Sequence, residues 1–356
     1  PNSTNNRGSY GICQAVIAHG VLLLLVPGPP MLAGFSMLAQ NFFRLTSLSH
    51  IGNKNFGSRE YRAGADAGIV CAMTEPVSHL VLTLSCPDRP GIVHDVTKVI
   101  VEVDGNIVDS QQFDDPETKS FFMRVEIHTR RNVEEVRKAF APLAQQYAMR
   151  WSVNEVGKKV RTIIMVSKEG HCLSDLLYRR RNLNLPLEVV AVIGNHPDLA
   201  PLAQFYDVPF LCIPVTKDTK AKAEAELLAL IDAENVELVV LARYMQILSD
   251  KVCERLHGQV INIHHSFLPS FKGARPYHQA HQRGVKLIGA TAHFVTPDLD
   301  EGPIIAQEVI PVSHRDSTSS MVQKGQDVER RVLAQAVTWY SQRRILLNGN
   351  RTVVFE

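Results

Sequence analysis

Apolar and polar positions change rhythm twice along this 356-residue chain. From Ser78 to about Glu155 short alternating runs are interleaved with two helical patterns. His79–Cys86 reads as a strand, and Pro90–Val103 has helical periodicity with a proline near its start. Asn106–Phe113 and Ser120–His128 alternate on either side of a "DDPET" turn, as a hairpin does. Asn132–Tyr147 is a second helix and Met149–Asn154 a last strand, so the order is βαββαβ: a ferredoxin-like sheet with both helices on one face. From about Val160 the rhythm becomes continuous apolar runs separated by amphipathic helices. The runs are Val160–Val166, Leu187–Ile193, Pro209–Ile213, Val236–Ala242 and Gln259–His264, and the helices are His171–Arg181, Ala200–Tyr206, Ala221–Glu234 and Ser249–Leu256. Doubly buried strands alternating with helices predict an α/β domain with a Rossmann-like, mostly parallel sheet. Two more apolar strands fall within Ile288–Gln307, joined by a turn that holds Asp298, Asp300 and Glu301.

The first 72 residues follow neither rhythm. No Asp or Glu precedes Glu60, and no charged residue lies between Arg7 and Arg44. Ala15–Val26 has the apolar centre of a signal peptide, but it is short for a membrane span, and Pro27, Pro29 and Pro30 break it. Met37–Lys54 is basic, contains serine and lacks acids, which fits a mitochondrial presequence and, with it, the mitochondrial matrix. Globular patterning starts at Met73. Residues 1–72 are therefore expected to be a non-native or disordered leader without effect on activity, followed by domains over 73–157 and 158–356.

Composition narrows the function without naming it. Apolar residues make up 45% and charged residues 21%, as in a globular protein, and a net charge of +2 gives no electrostatic case for nucleic acid. No membrane partner is expected. The six cysteines are scattered without a C-x-x-C pair, which argues against a disulfide framework or a cysteine zinc site and suits the cytoplasm.

The candidate chemistry gathers where the apolar strands end. In a parallel sheet, ligands bind beyond the carboxyl ends of the strands. The run "VINIHHS" empties there into "FLPSFKGARPYHQA", "LVVLA" into "RYMQILS", and the Asp300 turn completes the set. An asparagine N–H stabilises an oxyanion, a histidine moves a proton near neutrality, and an aspartate orients it. No G-x-S-x-G elbow is present, so Asn262, His264 and Asp300 fit direct attack on a carbonyl without a covalent intermediate. A metallohydrolase stays open beside this reading, because His264, His265, His278, His281 and His293 crowd one region, although H-E-x-x-H is absent.

"LTLSCPDRPGIVHDVTKVI" followed by "GNIVDSQQ" resembles the ACT domain, a regulatory module that binds an amino acid at a domain interface. The resemblance implies an effector site at Asp88, Arg89, Pro90 and Gly91 with Asn106 facing them, glycine or methionine as effector, and a homo-oligomer, dimer or tetramer. "NIHHSFLPSFKG" and "HFVTPDLDEGPII" resemble the formyltransferase family that uses 10-formyltetrahydrofolate. That likeness implies Asn262, His264 and Asp300 as catalytic residues, and Met245, Gln246, Ile247 and Leu248 as folate contacts. It implies no metal and no cofactor, since the folate is the substrate. Members that formylate glycinamide ribotide hold its phosphate in a Gly-rich loop after the first strand; here Lys168, Glu169 and His171 replace most of that loop. A carboxylate there opposes phosphate. The resemblance therefore implies hydrolysis of 10-formyltetrahydrofolate to tetrahydrofolate and formate, supplying purine synthesis. Formyl transfer to an amine, or a non-catalytic folate or amino-acid sensor, are the alternatives.

Overall fold

The computed structural model describes residues 77–269 and 276–356, together with a two-residue antiparallel pair, Ile17–Ala18 with Val21–Leu22, in the leader. The expectations for the leader otherwise lie outside the described residues. Among the described residues no helix is long and apolar enough to cross a membrane.

The βαββαβ module forms as its periodicity requires. Strand β1 (Ser78–Pro87) leads to α1 (Ile92–Glu102), the hairpin β2 (Asn106–Asp115) and β3 (Ser120–Thr129), then α2 (Val133–Gln146) and β4 (Arg150–Glu155). The sheet order is β2-β3-β1-β4, antiparallel throughout. Alternate positions Leu80, Leu82 and Leu84 of β1 and Met123, Val125 and Ile127 of β3 pack under Val96, Ile100 and Phe140 of the helices. A capping box between Asn132 and Glu135 starts α2. Helix α1 starts at Ile92, two residues beyond Pro90, because Gly91 takes a left-handed φ of 97°.

The register corrects one expectation. Asn106 and His79 both pair with His128, whereas Asp88–Gly91 follow Pro87 at the other end of β1. Asn106 therefore lies a strand length, roughly 25 Å, from the turn it was expected to face. Within one chain the two do not meet, because α1 carries the backbone back along the sheet before β2 begins.

The second domain runs β5 (Val160–Val166), α3 (His171–Asn182), β6 (Leu187–Gly194), α4 (Ala200–Phe205), β7 (Phe210–Cys212), α5 (Lys220–Ala233), β8 (Leu238–Leu241), α6 (Asp250–Arg255) and β9 (Val260–His264). Then come α7 (Pro276–Arg283), β10 (Leu287–Phe294), β11 (Ile304–Pro311), the long α8 (Thr318–Ser341) and a hairpin of β12 (Ile345–Asn348) and β13 (Arg351–Val354). The seven strands lie in the order β11-β10-β9-β8-β5-β6-β7. The five from β9 to β7 are parallel, and β10 and β11 join antiparallel. Alternation within β5 sorts the layers: Ile164 and Val166 share a core with α3 and α8, while Ile163 and Met165 share one with α5 and α6. Winding reverses between β5 and β8, and the loops leaving those strands part to leave a crevice.

The terminal hairpin ties the two domains together. Asp115 at the end of β2 accepts hydrogen bonds from Asn348 Nδ2 at 2.6 Å and Arg351 Nη2 at 3.1 Å. Arg124, 2% exposed on the sheet face away from α1 and α2, donates to the Gln342 carbonyl at 3.2 Å.

Candidate active site

A cavity of about 560 Å³ opens at the carboxyl ends of β8 and β9, within the range of small-molecule sites. Asn262, His264 and Asp300, separated by up to 38 positions, all line it, and so do Met245, Gln246, Ile247 and Leu248. Strand β9 presents Asn262 and His264 on one face because strand side chains alternate. Antiparallel pairing sets His293 of β10 directly beside Asn262. The turn after β10 brings Asp300 back over both histidines, with its backbone left-handed at φ 59°.

Hydrogen bonds define the protonation of this group. His264 is 5% exposed, its Nδ1 is 3.3 Å from Asp300 Oδ1, and its Nε2 is buried without a partner among the described residues. With Nδ1–H turned to the carboxylate, Nε2 keeps the lone pair of the neutral ring. His293 Nδ1 donates to the Phe294 carbonyl at 2.9 Å, so in the neutral ring Nε2 accepts from Asn262 Nδ2 at 3.2 Å. That contact fixes the amide and leaves its second N–H for an oxyanion. The His264 ring, its Nδ1 3.3 Å away, and then the His293 ring, its Nε2 3.7 Å away, outweigh burial and hold the Asp300 carboxyl well below the usual carboxylate range. Asp300 is therefore a fixed negative charge.

The loop Tyr244–Leu248 is pinned at both ends. Met245 N donates to Ser167 Oγ at 2.9 Å, and Ser249 donates to Glu224 through its backbone N at 2.8 Å and Oγ at 2.6 Å. Met245 and Ile247 are 60% and 59% exposed, so the segment offers backbone and apolar surface to the cavity while Leu248 is buried.

Five residues that the sequence reading left without a role in the chemistry complete the walls: Arg243, His265, His293, Tyr277 and Glu329. His265 and His293 entered only as candidate metal ligands. Glu329, on α8, is fully buried and receives Tyr277 Oη at 2.6 Å and His171 Nε2 at 2.8 Å, with Arg243 Nε 3.4 Å away. Burial alone would raise the Glu329 carboxyl, but the His171 hydrogen bond, the Arg243 charge and the Tyr277 hydroxyl together keep it below its usual value. One signal was available in the sequence, because a charged residue stands among the apolar positions Met321, Val328, Val332 and Leu333 of one helix face.

The five crowded histidines do not form a ligand set among the described residues. The group that comes together there is His171, Cys172 and Glu329. Its carboxylate already takes two hydrogen bonds beside a guanidinium, and burial raises the Cys172 thiol well above its ordinary range. Those donors fit a buried ion-pair network rather than a cation.

A doubly wound sheet opening onto an amide, a buried histidine and a carboxylate, behind a βαββαβ module, defines a formyl-transferase-class enzyme carrying an ACT module. Residues 160–337 match the formyl transferase family and residues 78–154 the ACT domain. The chain is 50% identical over 285 residues to the formyltetrahydrofolate deformylase of Corynebacterium sp. (strain P-1), covering 79% of this chain and 99% of that one. It is similar to the crystal structure of formyltetrahydrofolate deformylase from Burkholderia mallei, at 48% identity and a TM-score of 0.76 over 78% of this chain and all (100%) of that one. Glycinamide ribonucleotide transformylase 1 from Symbiobacterium toebii is a more distant likeness, at 29% identity and TM-score 0.54, over 57% of this chain and 97% of that one. The chain belongs to the formyltetrahydrofolate deformylase family.

Proposed function

We propose that this chain hydrolyses 10-formyltetrahydrofolate to tetrahydrofolate and formate. The observation that carries the reading is His264 in the cavity wall, whose buried Nε2 has no hydrogen-bond partner among the described residues while Asp300 holds Nδ1. Water adds to the formyl carbon as His264 Nε2 takes its proton. The negative charge then on the formyl oxygen is met by the free N–H of Asn262. As the C–N10 bond breaks, His264 returns that proton to N10, and formic acid leaves and ionises. Asp300, ionised throughout, stabilises the imidazolium formed in between. Every atom of the products comes from the folate and one water. Met245 to Leu248 hold the pteridine through the backbone and apolar surface of their pinned loop. Carboxylates of Glu169 and Glu329 on the Arg243 side of the cavity disfavour a phosphate-bearing acceptor.

The ACT module is assigned to amino-acid regulation, with glycine and methionine as the effectors to try. Arg89 of the exposed turn stacks 3.9 Å over the Tyr147 ring and donates to the Gln146 carbonyl at 2.8 Å. Asp88 N–H is taken by the Lys119 carbonyl at 2.9 Å, and Gly91 with the first N–H groups of α1 remains for an effector carboxylate. A pocket that also includes Asn106 takes it from a second copy of the chain, which favours a homo-oligomer.

Formate release measured with no amine present tests the reading. The expected result is one formate and one tetrahydrofolate per substrate consumed. Release only when an amine is added indicates transfer, and tight folate binding with neither product indicates a sensor.

A further inference from the structure

Next to the catalytic trio stands a buried pair that the mechanism above does not use. Arg243 leaves β8 with a left-handed φ of 64°, its side chain is 10% exposed, and its Nη1 lies 2.6 Å from His265 Nδ1. A guanidinium has donors and no acceptor, so His265 Nδ1 must offer a lone pair, and the proton of the neutral ring must sit on Nε2. Burial, then the Arg243 charge, then His264 push the His265 imidazole down to about 4, so at neutral pH the ring holds that single proton. The Glu329 carboxylate pairs with the Arg243 charge from behind, 3.4 Å from Nε and without a hydrogen bond to it. The His265 ring lies against that of His264, with centroids 5.0 Å apart and planes 22° from parallel, and both line the cavity. Two neighbouring imidazoles therefore hold opposite states: His264 offers a lone pair at Nε2, and His265 offers an N–H.

We propose that His265, held as the Nε2–H tautomer by Arg243 and Glu329, is the donor that positions the attacking water and so selects water over an amine as formyl acceptor. The inference rests on the hydrolytic reading of this same site. Water has two lone pairs. One attacks the formyl carbon, one of its hydrogens points to His264, and its second lone pair is free to accept from His265. A neutral amine has a single lone pair, which the attack consumes, so an N–H aimed at its nitrogen meets only other N–H bonds. The same donor thus aids one nucleophile and repels the other. Arg243 and Glu329 are positioning residues, acting through the tautomer they impose.

The experiment compares the unmodified protein with His265→Leu, which removes the donor at similar size, and His265→Gln, whose amide restores an N–H at similar reach. With 10-formyltetrahydrofolate and water, His265→Leu is expected to lose about 10²-fold in kcat, the scale of a lost positioned polar group, with KM within about two-fold. His265→Gln should regain at least about ten-fold of that loss. With hydroxylamine added, the ratio of formyl-hydroxylamine to formate should rise in His265→Leu and fall back in His265→Gln. An unchanged kcat or an unchanged ratio in His265→Leu overturns the proposal, as does a glutamine variant no better than leucine. Nitrogen-15 NMR of the unmodified protein tests the tautomer without any substitution, and a proton on Nδ1 of His265 overturns it as well. If the unmodified protein releases no formate, the hydrolytic reading itself has failed. If it does and His265→Leu matches it, only the role of His265 has.

Discussion

Asp300 carries a charge that its neighbours keep in place, and His264 carries a lone pair that nothing in the described protein uses. Removing either should leave the fold and the folate loop intact while stopping proton transfer. Asp300→Asn and His264→Ala are each expected to lower kcat roughly 10²–10⁴-fold, with little change in folate affinity by fluorescence titration. Near-normal turnover in either variant would remove that residue from the mechanism. His265 makes a separate claim, on stability. Its folded-state value near 4 lies below the ordinary 6.5, so between these pH values the unfolded chain binds a proton that the folded chain refuses. Stability is therefore lost as pH falls from about 6.5 to about 4, at up to roughly 1.4 kcal/mol per pH unit from this residue. Denaturant titrations at stepped pH should show a shallower fall in His265→Gln, and parallel curves would contradict the assignment.

At the scale of elements, α8 does more than cover the sheet. Its inner face carries Gly325 one turn before Glu329, and a Cβ at Gly325 would lie 2.1 Å from Tyr277 Oη. Gly→Ala inside a helix normally stabilises by about 1 kcal/mol. Here the ring of Tyr277 occupies the space, and overpacking of this kind costs about 1–3 kcal/mol. The steric term should win. Gly325→Ala is expected to lower the melting temperature and to reduce kcat, because Tyr277 must leave its bond to Glu329. A raised melting temperature with full activity would show that α7 yields without cost.

At the scale of the whole molecule, the C-terminal hairpin links the ACT module to the catalytic domain. Asn348 and Arg351 hold Asp115 of the ACT module. Thr352 Oγ1 of the same hairpin donates to the carbonyl of Ile304 at 2.6 Å, four residues beyond Asp300. An effector alters turnover only if it binds two states differently. Gly91→Leu places a side chain where φ is 97° and is expected to abolish any response to glycine or methionine while leaving basal formate release unchanged. Initial rates with and without each amino acid, on both proteins, decide the matter. Indifference of the unmodified protein to every amino acid tried would leave the module an assembly role alone.

Much of this architecture was legible in the chain. Strand and helix boundaries from Val160 to His264 fall within a residue or two of their apolar runs, because burial on two faces demands continuous Val, Ile and Leu. The ends of those runs also located the cleft, since a parallel sheet leaves its loops at one edge. Helix α8 and the terminal hairpin went unread, although Met321, Val328, Val332 and Leu333 keep helical spacing. What the sequence determined by itself is local: periodicity, caps, and the residue types that suit acyl chemistry at strand ends. Only tertiary structure decided which of many histidines share a carboxylate, which nitrogen of each carries the proton, and that Asn106 stands a strand length from Gly91 in one chain. The physical reason is that these properties depend on register and on cross-strand distance. A hydrogen bond fixes a tautomer within a few tenths of an ångström, whereas spacing along the chain constrains position only through the elements between.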